Sequence, residues 1–237
     1  MRIEPANCVE FLEVIGTAAR SQCADTVAAL AMERWTPQQL SELVYNCNPE
    51  VRKLACHVLG LVGDQRAMPA LATGLCDLDP HVHAFAENAA WSIWFRSGAC
   101  DAQHDFARGM QAMAEEDPQK ALHHFRKACA IDPQFAEAYN QCGLAHYMLE
   151  QWVEATAPCR RAIKLQPWHF GAFAGLGHCF AHTGDLDQAA CCYRSALAIN
   201  PRMEGVSTTL GRIEQCLGVS SGDPESTQPW PPPPPQD

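Results

Sequence analysis

Apolar and small residues recur at spacings of three and four along most of the chain, as far as about residue 217, and no stretch alternates with the period of two that a half-buried strand needs. The pattern predicts an all-α protein of about thirteen helices. A longer period lies on top of the helical one. Pro133, Pro167 and Pro201 are 34 residues apart, and Gly109, Gly143 and Gly177 keep the same step. So do Ala121, Ala155 and Ala189, and again Ala128, Ala162 and Ala196, while Phe125, Cys159 and Tyr193 share one larger position. Several independent columns in one register mean that a single supersecondary unit is repeated and stacked on itself.

Residues 102–135, 136–169 and 170–203 read as three such units. Each has a first helix, a tight turn at Glu116-Asp117, Glu150-Gln151 or Gly184-Asp185, and a second helix. The second helix stops before its proline, because proline disfavours helical dihedrals in the residue that precedes it. The period, the small columns and the segment GHCFAHTGDLDQAACCYRSALAINP resemble the tetratricopeptide repeat (TPR), a pair of antiparallel helices in which small residues mark the close approaches. The first unit departs from that pattern. Asp105 stands where the others carry Tyr139 and Phe173, and Arg108 replaces the usual Leu, which suits a leading helix that packs on something other than another such repeat. After Pro201, apolar Val206, Leu210, Ile213 and Leu217 at helical spacing predict a capping helix over 204–217.

Residues 1–100 carry a weaker period. NPEVRKLACHVLG at 48–60 aligns with DPHVHAFAENAAW at 79–91 at a step of 31, matching Val51 to Val82 and Ala55 to Ala86. The intervening GDQRAMPALATGLCD supplies the partner helix, with Asp64 as its expected N-cap. This segment, clearest over 48–97, resembles short HEAT repeats of the bacterial kind first noted in phycobilin lyases, and residues 8–46 fit it only loosely. The expected fold is therefore a helical-repeat solenoid, HEAT-like repeats followed by three TPRs and a capping helix. Residues 218–237 lack apolar residues other than Val219 and Trp230, so the five consecutive prolines are expected in polyproline II within a disordered tail.

Composition narrows the function. Asn7, Glu10 and Glu13 interrupt any secretory apolar core, and no run reaches about 18 apolar residues, so a cytoplasmic protein is expected. The thirteen cysteines are an odd number without an export signal, which reads as reduced thiols filling small core positions rather than a disulfide framework. The formal charge is −10, and each part of the chain is acidic. Nucleic acid and anionic membranes both require a basic surface, so neither is an expected partner.

No catalytic, metal or cofactor signature emerges. His178 and His182 share a helix face at i and i+4, but the run between them is Cys179-Phe180-Ala181 rather than a zinc-hydrolase motif, and no third ligand converges. His81 and His83 diverge on a helix, C-x-x-C is absent, and the glycines of GAFAGLG lie inside a helix with no preceding strand. The TPR resemblance instead implies a groove lined by the first helices. It would comprise Phe106, Met110, Met113, Asn140, Leu144, Tyr147, Met148, His178 and His182, with Gln103, Ala114, Glu137, Gly171, Ala174 and Ala181 between them. Relatives of this type that clamp acidic chaperone tails use Lys and Asn in the groove; here Phe106 and Met110 take two of those places. A Met-rich aromatic stripe suits adaptable apolar recognition or, equally, a core covered by another segment. The expected function is a non-enzymatic scaffold that binds a protein or peptide partner, with homo-oligomerisation left open. The alternative is a lyase or chaperone-like factor for a tetrapyrrole or other prosthetic group, resting on the HEAT resemblance alone.

Overall fold

The computed structural model describes residues 5–20 and 23–218. The expectations for the extreme N-terminus and for the proline-rich stretch from 219 onward lie outside the described residues. Those residues form thirteen α-helices with no strand, in two compact units that divide between Arg96 and Ser97.

The first unit contains α1 (Pro5–Arg20), α2 (Ala24–Arg34), α3 (Pro37–Leu43), α4 (Pro49–Val62), a 3-10 turn at Gln65–Ala67, α5 (Met68–Leu75) and α6 (Pro80–Arg96). Its repeat is written in the helix starts. The Asn48 side chain accepts from Glu50 N–H ahead of α4, and Asp79 accepts from His81 N–H ahead of α6. Two residues earlier in each case, Asn46 and Asp77 accept the N–H of those caps, both at 2.9 Å. Proline then opens each helix, where its missing N–H costs nothing. Val51, Ala55, Val82 and Ala86 are buried where α4 packs on α6. Asp64 does not cap the following α-helix as the sequence suggests. Its carboxylate accepts from Arg66 N–H and starts the 3-10 turn, and α5 begins only at Met68, with proline in its first turn.

The second unit contains α7 (Cys100–Ala114), α8 (Pro118–Ile131), α9 (Ala136–Met148), α10 (Trp152–Leu165), α11 (Phe170–Thr183), α12 (Leu186–Ile199) and α13 (Glu204–Leu217). Successive helices pack on one another through short connections, so they alternate in direction, and α7, α9, α11 and α13 run parallel. The three intra-pair turns are one structure repeated. Glu116, Glu150 and Gly184 each take positive φ, at 58°, 59° and 84°. The N–H of the next residue reaches back to the carbonyl of Ala112, His146 or Phe180, closing the same terminal loop on each first helix.

The 34-residue columns meet one another in space. A Cβ on Gly109 would stand 2.4 Å from the Phe125 ring, one on Gly143 2.4 Å from Cys159 Sγ, and one on Gly177 2.7 Å from Tyr193. The glycine column is therefore the socket for the large column. Both alanine columns are fully buried. The helix α10 continues through Pro158, which removes one backbone donor; burial of Ala155, Cys159 and Ala162 offsets that loss.

Six cysteines, Cys56, Cys129, Cys142, Cys159, Cys179 and Cys192, are buried small residues, whereas five others, Cys23, Cys47, Cys76, Cys100 and Cys216, are exposed. Core filling thus accounts for only part of the cysteine content.

Candidate functional site

Parallel first helices α7, α9 and α11 bring the expected groove residues onto one face, but not all of them to its surface. Phe106 is only 4% exposed, with its ring 4.7 Å from Phe135 and 5.6 Å from Phe125. It belongs to the core and offers nothing to a partner. Met110 and Met113 are partly exposed, and on α9 Leu144 and Met148 are 43% and 46% exposed. These α9 side chains are large apolar groups left in water, which is the feature that marks an interaction surface when clustered.

Asn140 is buried and donates to Glu137 at 3.2 Å, so its amide serves the fold rather than an incoming backbone. Glu137 is itself fully buried. Its carboxylate accepts from Gln141 Nε2 and from His169 Nε2, both at 2.7 Å. His169 Nδ1 accepts from Ala172 N–H at the start of α11, which leaves Nε2 as the nitrogen that donates to Glu137. A carboxylate taken out of water needs such a full set of donors. Sequence reasoning placed Glu137 on the groove and passed over His169. A signal was present: His169 lies 34 residues after Phe135, in a position that is buried in both repeats, and a histidine there requires a buried partner.

His178 and His182 do not converge on a common point. His178 Nδ1 pairs with Tyr193 Oη at 2.7 Å, and His182 Nε2 with Tyr147 Oη at 2.9 Å. Burial pushes His178 below the usual histidine range, and the neighbouring His182 adds to the effect. Tyr193 is pushed up by burial. Among the described residues no group of three or more His, Cys, Asp or Glu is arranged to hold a metal ion.

Trp152, absent from the sequence-based groove, completes an aromatic corner. Its ring stacks on His182 at 4.2 Å and 14°, while Tyr147 crosses it at 4.9 Å and 62°. Trp152 opens the second helix of its pair, so a scheme confined to first helices could not find it; the Schellman-type turn at Glu150 folds it back beside Tyr147.

Three of the buried thiols, Cys56, Cys129 and Cys192, are poor nucleophile candidates. Burial pushes Cys56 and Cys192 up to about 12. Cys129 is pushed up by its hydrogen bond to Cys142 and then by burial. A thiol is reactive as its thiolate, which such surroundings suppress. Asp105, the anomalous residue of the first repeat, pairs with His124 Nδ1 at 2.9 Å, which holds its carboxyl below the usual range. It is a bridge from α7 to α8, whereas at the same position Tyr139 lies under the Arg161 guanidinium and Phe173 is buried.

Comparison with known proteins matches residues 114–150 to the family model of the TPR repeat, so the second unit carries TPR sequence. The chain is similar to anaphase-promoting complex subunit 3 of Schizosaccharomyces pombe, at 32% identity over 103 residues, 43% of this chain and 16% of that protein. It is also similar to the Hsp70-Hsp90 organizing protein of Triticum aestivum, at 27% identity over 113 residues, 48% of this chain and 19% of that protein. The chain thus spans less than a fifth of the length of either relative. Among solved structures, the first TPR of Spaghetti (RPAP3) bound to an HSP90 peptide aligns at 19% identity and a TM-score of 0.49, covering 50% of this chain and 94% of that one.

Proposed function

We propose that the second unit is a non-catalytic docking module that holds a short apolar or aromatic segment of a protein partner on the first-helix face of α7, α9 and α11. The single observation that carries this reading is the exposure of Leu144 and Met148 beside the partly exposed Met110, Met113 and Tyr147 on a face whose interior is already fully packed. Burying one such side chain is worth about 1.5–3 kcal/mol, so two or three anchors give a micromolar interaction only when polar contacts are added. His182 and the Tyr147 hydroxyl supply them. The TPR match supports the module class, and proteins of similar sequence include a subunit of the anaphase-promoting complex and an Hsp70-Hsp90 organizing protein. The partner of this chain is a segment of apolar chemistry rather than an acidic chaperone tail, because Phe106 and Met110 stand where a carboxylate clamp would need basic or amide groups. We read the first unit as HEAT-like, on its 31-residue repeat of Asx-Pro helix starts, and the protein as cytoplasmic.

The test is affinity capture from native extract with the full chain and with Leu144→Glu plus Met148→Glu. Both positions are exposed, so the expected result is loss of captured partners at unchanged melting temperature. Retention of every partner by the double variant would sink the reading.

A further inference from the structure

The first repeat of the second unit departs from the 34-residue columns by gaining cationic side chains along α8. Lys120, His123 and Lys127 stand where the second repeat has Glu154, Ala157 and Arg161 and the third has Gln188, Cys191 and Ser195. Repeat packing therefore does not demand them, since α10 and α12 form the same helix with other residues. Position 126 behaves in the opposite way. Arg126, Arg160 and Arg194 keep the 34-residue step, and each reaches the equivalent residue of the next first helix. Arg126 donates to His146 Nε2 at 3.1 Å, the Arg160 guanidinium lies 5.5 Å from the Phe180 ring centre, and Arg194 donates to Glu214 at 2.7 Å. Arg194 is thus neutralised by a carboxylate, whereas Arg126 meets a ring.

The helix α8 carries Lys120, Arg126 and Lys127 with His123 and His124 and contains no Asp or Glu, in a chain of formal charge −10. On its α7 side, Arg108, Gln111, Lys120 and His124 line a shallow cavity of about 270 Å³. Two carboxylates serve that side. Asp105 pairs with His124, and Lys127 and Arg108 also favour its charged form. Glu115 accepts from Lys120 at 3.0 Å and from Gln111 at 2.9 Å. A second cavity, of about 310 Å³, is lined by Gln119, Leu122, His123, Arg126, Lys127 and Ala130, all from α8 and none of them acidic. Leu122 is buried at its floor, while His123, Arg126 and Lys127 are exposed. The acidic Glu116 and Asp117 stay in the turn at one end, where Asp117 caps α8 by accepting from Lys120 N–H.

We propose that this face of α8 docks an acidic segment of a protein partner, extended and about five residues long, with carboxylates set against His123, Arg126 and Lys127. The length follows from the helix: Gln119 to Ala130 spans about 16 Å, which extended chain covers in about five residues. Charge complementarity sets the chemistry, because cations outnumber carboxylates on this face alone. A short segment meets only the local field, which salt screens within about 10 Å, whereas a long polyanion such as nucleic acid also meets the repulsion of an acidic chain. One exposed ion pair contributes little, so recognition draws on several at once. The surface lies on a second helix, apart from the first-helix face of α7, α9 and α11, and stands independently of the reading of that face.

The test titrates fluorescein-labelled hexaglutamate into the full chain at low ionic strength and follows anisotropy. In parallel, a carbodiimide joins peptide carboxylates to lysines, of which the chain has only Lys53, Lys120, Lys127 and Lys164. The expected result is binding, with most of the cross-link on Lys127. Arg126→Gln with Lys127→Gln should weaken the peptide about tenfold, whereas Arg66→Gln with Arg212→Gln, which removes the same charge elsewhere, should weaken it less than about twofold. Melting temperatures separate loss of the site from loss of the fold, and His123→Gln with Lys127→Gln, which spares the Arg126 contact to His146, gives the readout if the first pair destabilises the chain. Absence of binding, equal losses in the two pairs, or cross-links chiefly on Lys53 or Lys164 would overturn the proposal. Hexathymidylate binding more tightly than hexaglutamate would overturn it by making nucleic acid the partner. Self-association of the chain that the substitutions at Arg126 and Lys127 abolish would overturn it by making a second copy the occupant.

Discussion

The two units build helical repeats by different means. In the first, the element that recurs is polar: Asn46 and Asn48 before Pro49, Asp77 and Asp79 before Pro80, each pair satisfying the N–H groups at a helix start. Arg52 then ties the two corners together. It donates to both oxygens of Asp77, at 2.6 and 3.0 Å, and to the carbonyls of Asn46 and Cys47. Arg96 does similar work at the other end of α4, donating to the carbonyls of Gly60 and Gly63. Close approaches exist in this unit, as where Gly60 meets Ala89, but they do not follow the period, since the counterpart of Gly60 is Trp91. In the second unit the recurring element is steric, a missing Cβ opposite a large side chain. Periodicity in a repeat protein thus marks whichever constraint cannot vary: helix-end hydrogen bonds in one unit, interhelical distance in the other.

This contrast predicts a ranking of substitutions. Gly109→Leu and Gly143→Leu should have the largest effect, each destabilising by about 3 kcal/mol, because Phe125 and Cys159 have no room to retreat. Chemical denaturation measures it, and a loss no greater than that of an exposed Val153→Leu control would break the steric account. Asp77→Ala should cost about 2 kcal/mol, since it leaves the half-buried Arg52 guanidinium without its carboxylate and the Asp79 N–H without an acceptor. A double-mutant cycle with Arg52→Met separates the coupling from simple truncation, and coupling near zero would count against the polar corner.

Glu150→Gly should act in the opposite direction. Glu150 and Glu116 hold positive φ where the third repeat has Gly184, and relieving that backbone cost should stabilise by about 1 kcal/mol. An unchanged or lower midpoint would show that the left-handed turn is not strained. The smallest effect concerns pH. Burial pushes His57 in the first unit and His178 in the second below their usual value. The folded chain therefore binds these protons less readily than the unfolded one. The part of the stability that these two histidines control should be level above about pH 7 and fall as pH drops below about 6.5, with His57→Gln and His178→Gln each flattening part of the slope. A midpoint that rises on acidification through that window would contradict the sign.

The sequence by itself determined the class of the fold and the register of the second unit. Small residues 34 apart encode a distance between helix axes, and that distance is a property of side-chain volume, which is written in each letter. The 31-residue step of the first unit was legible as well, but not its Asx-Pro corners: the one N-cap expected from the sequence, Asp64, starts a 3-10 turn instead. Tertiary structure decided the site. Helical periodicity tells which residues share a face, but not which part of that face another element covers, so Phe106 looked like groove and is core, and Asn140 looked available and is engaged with Glu137. Trp152 and His169 show the converse. Each acquires its role from a residue on a different helix, through a 4.2 Å stack with His182 and a 2.7 Å hydrogen bond to Glu137. Such pairings depend on how the turns bring helices together, and a register of small residues fixes the spacing of helices without naming the side chains that meet across it.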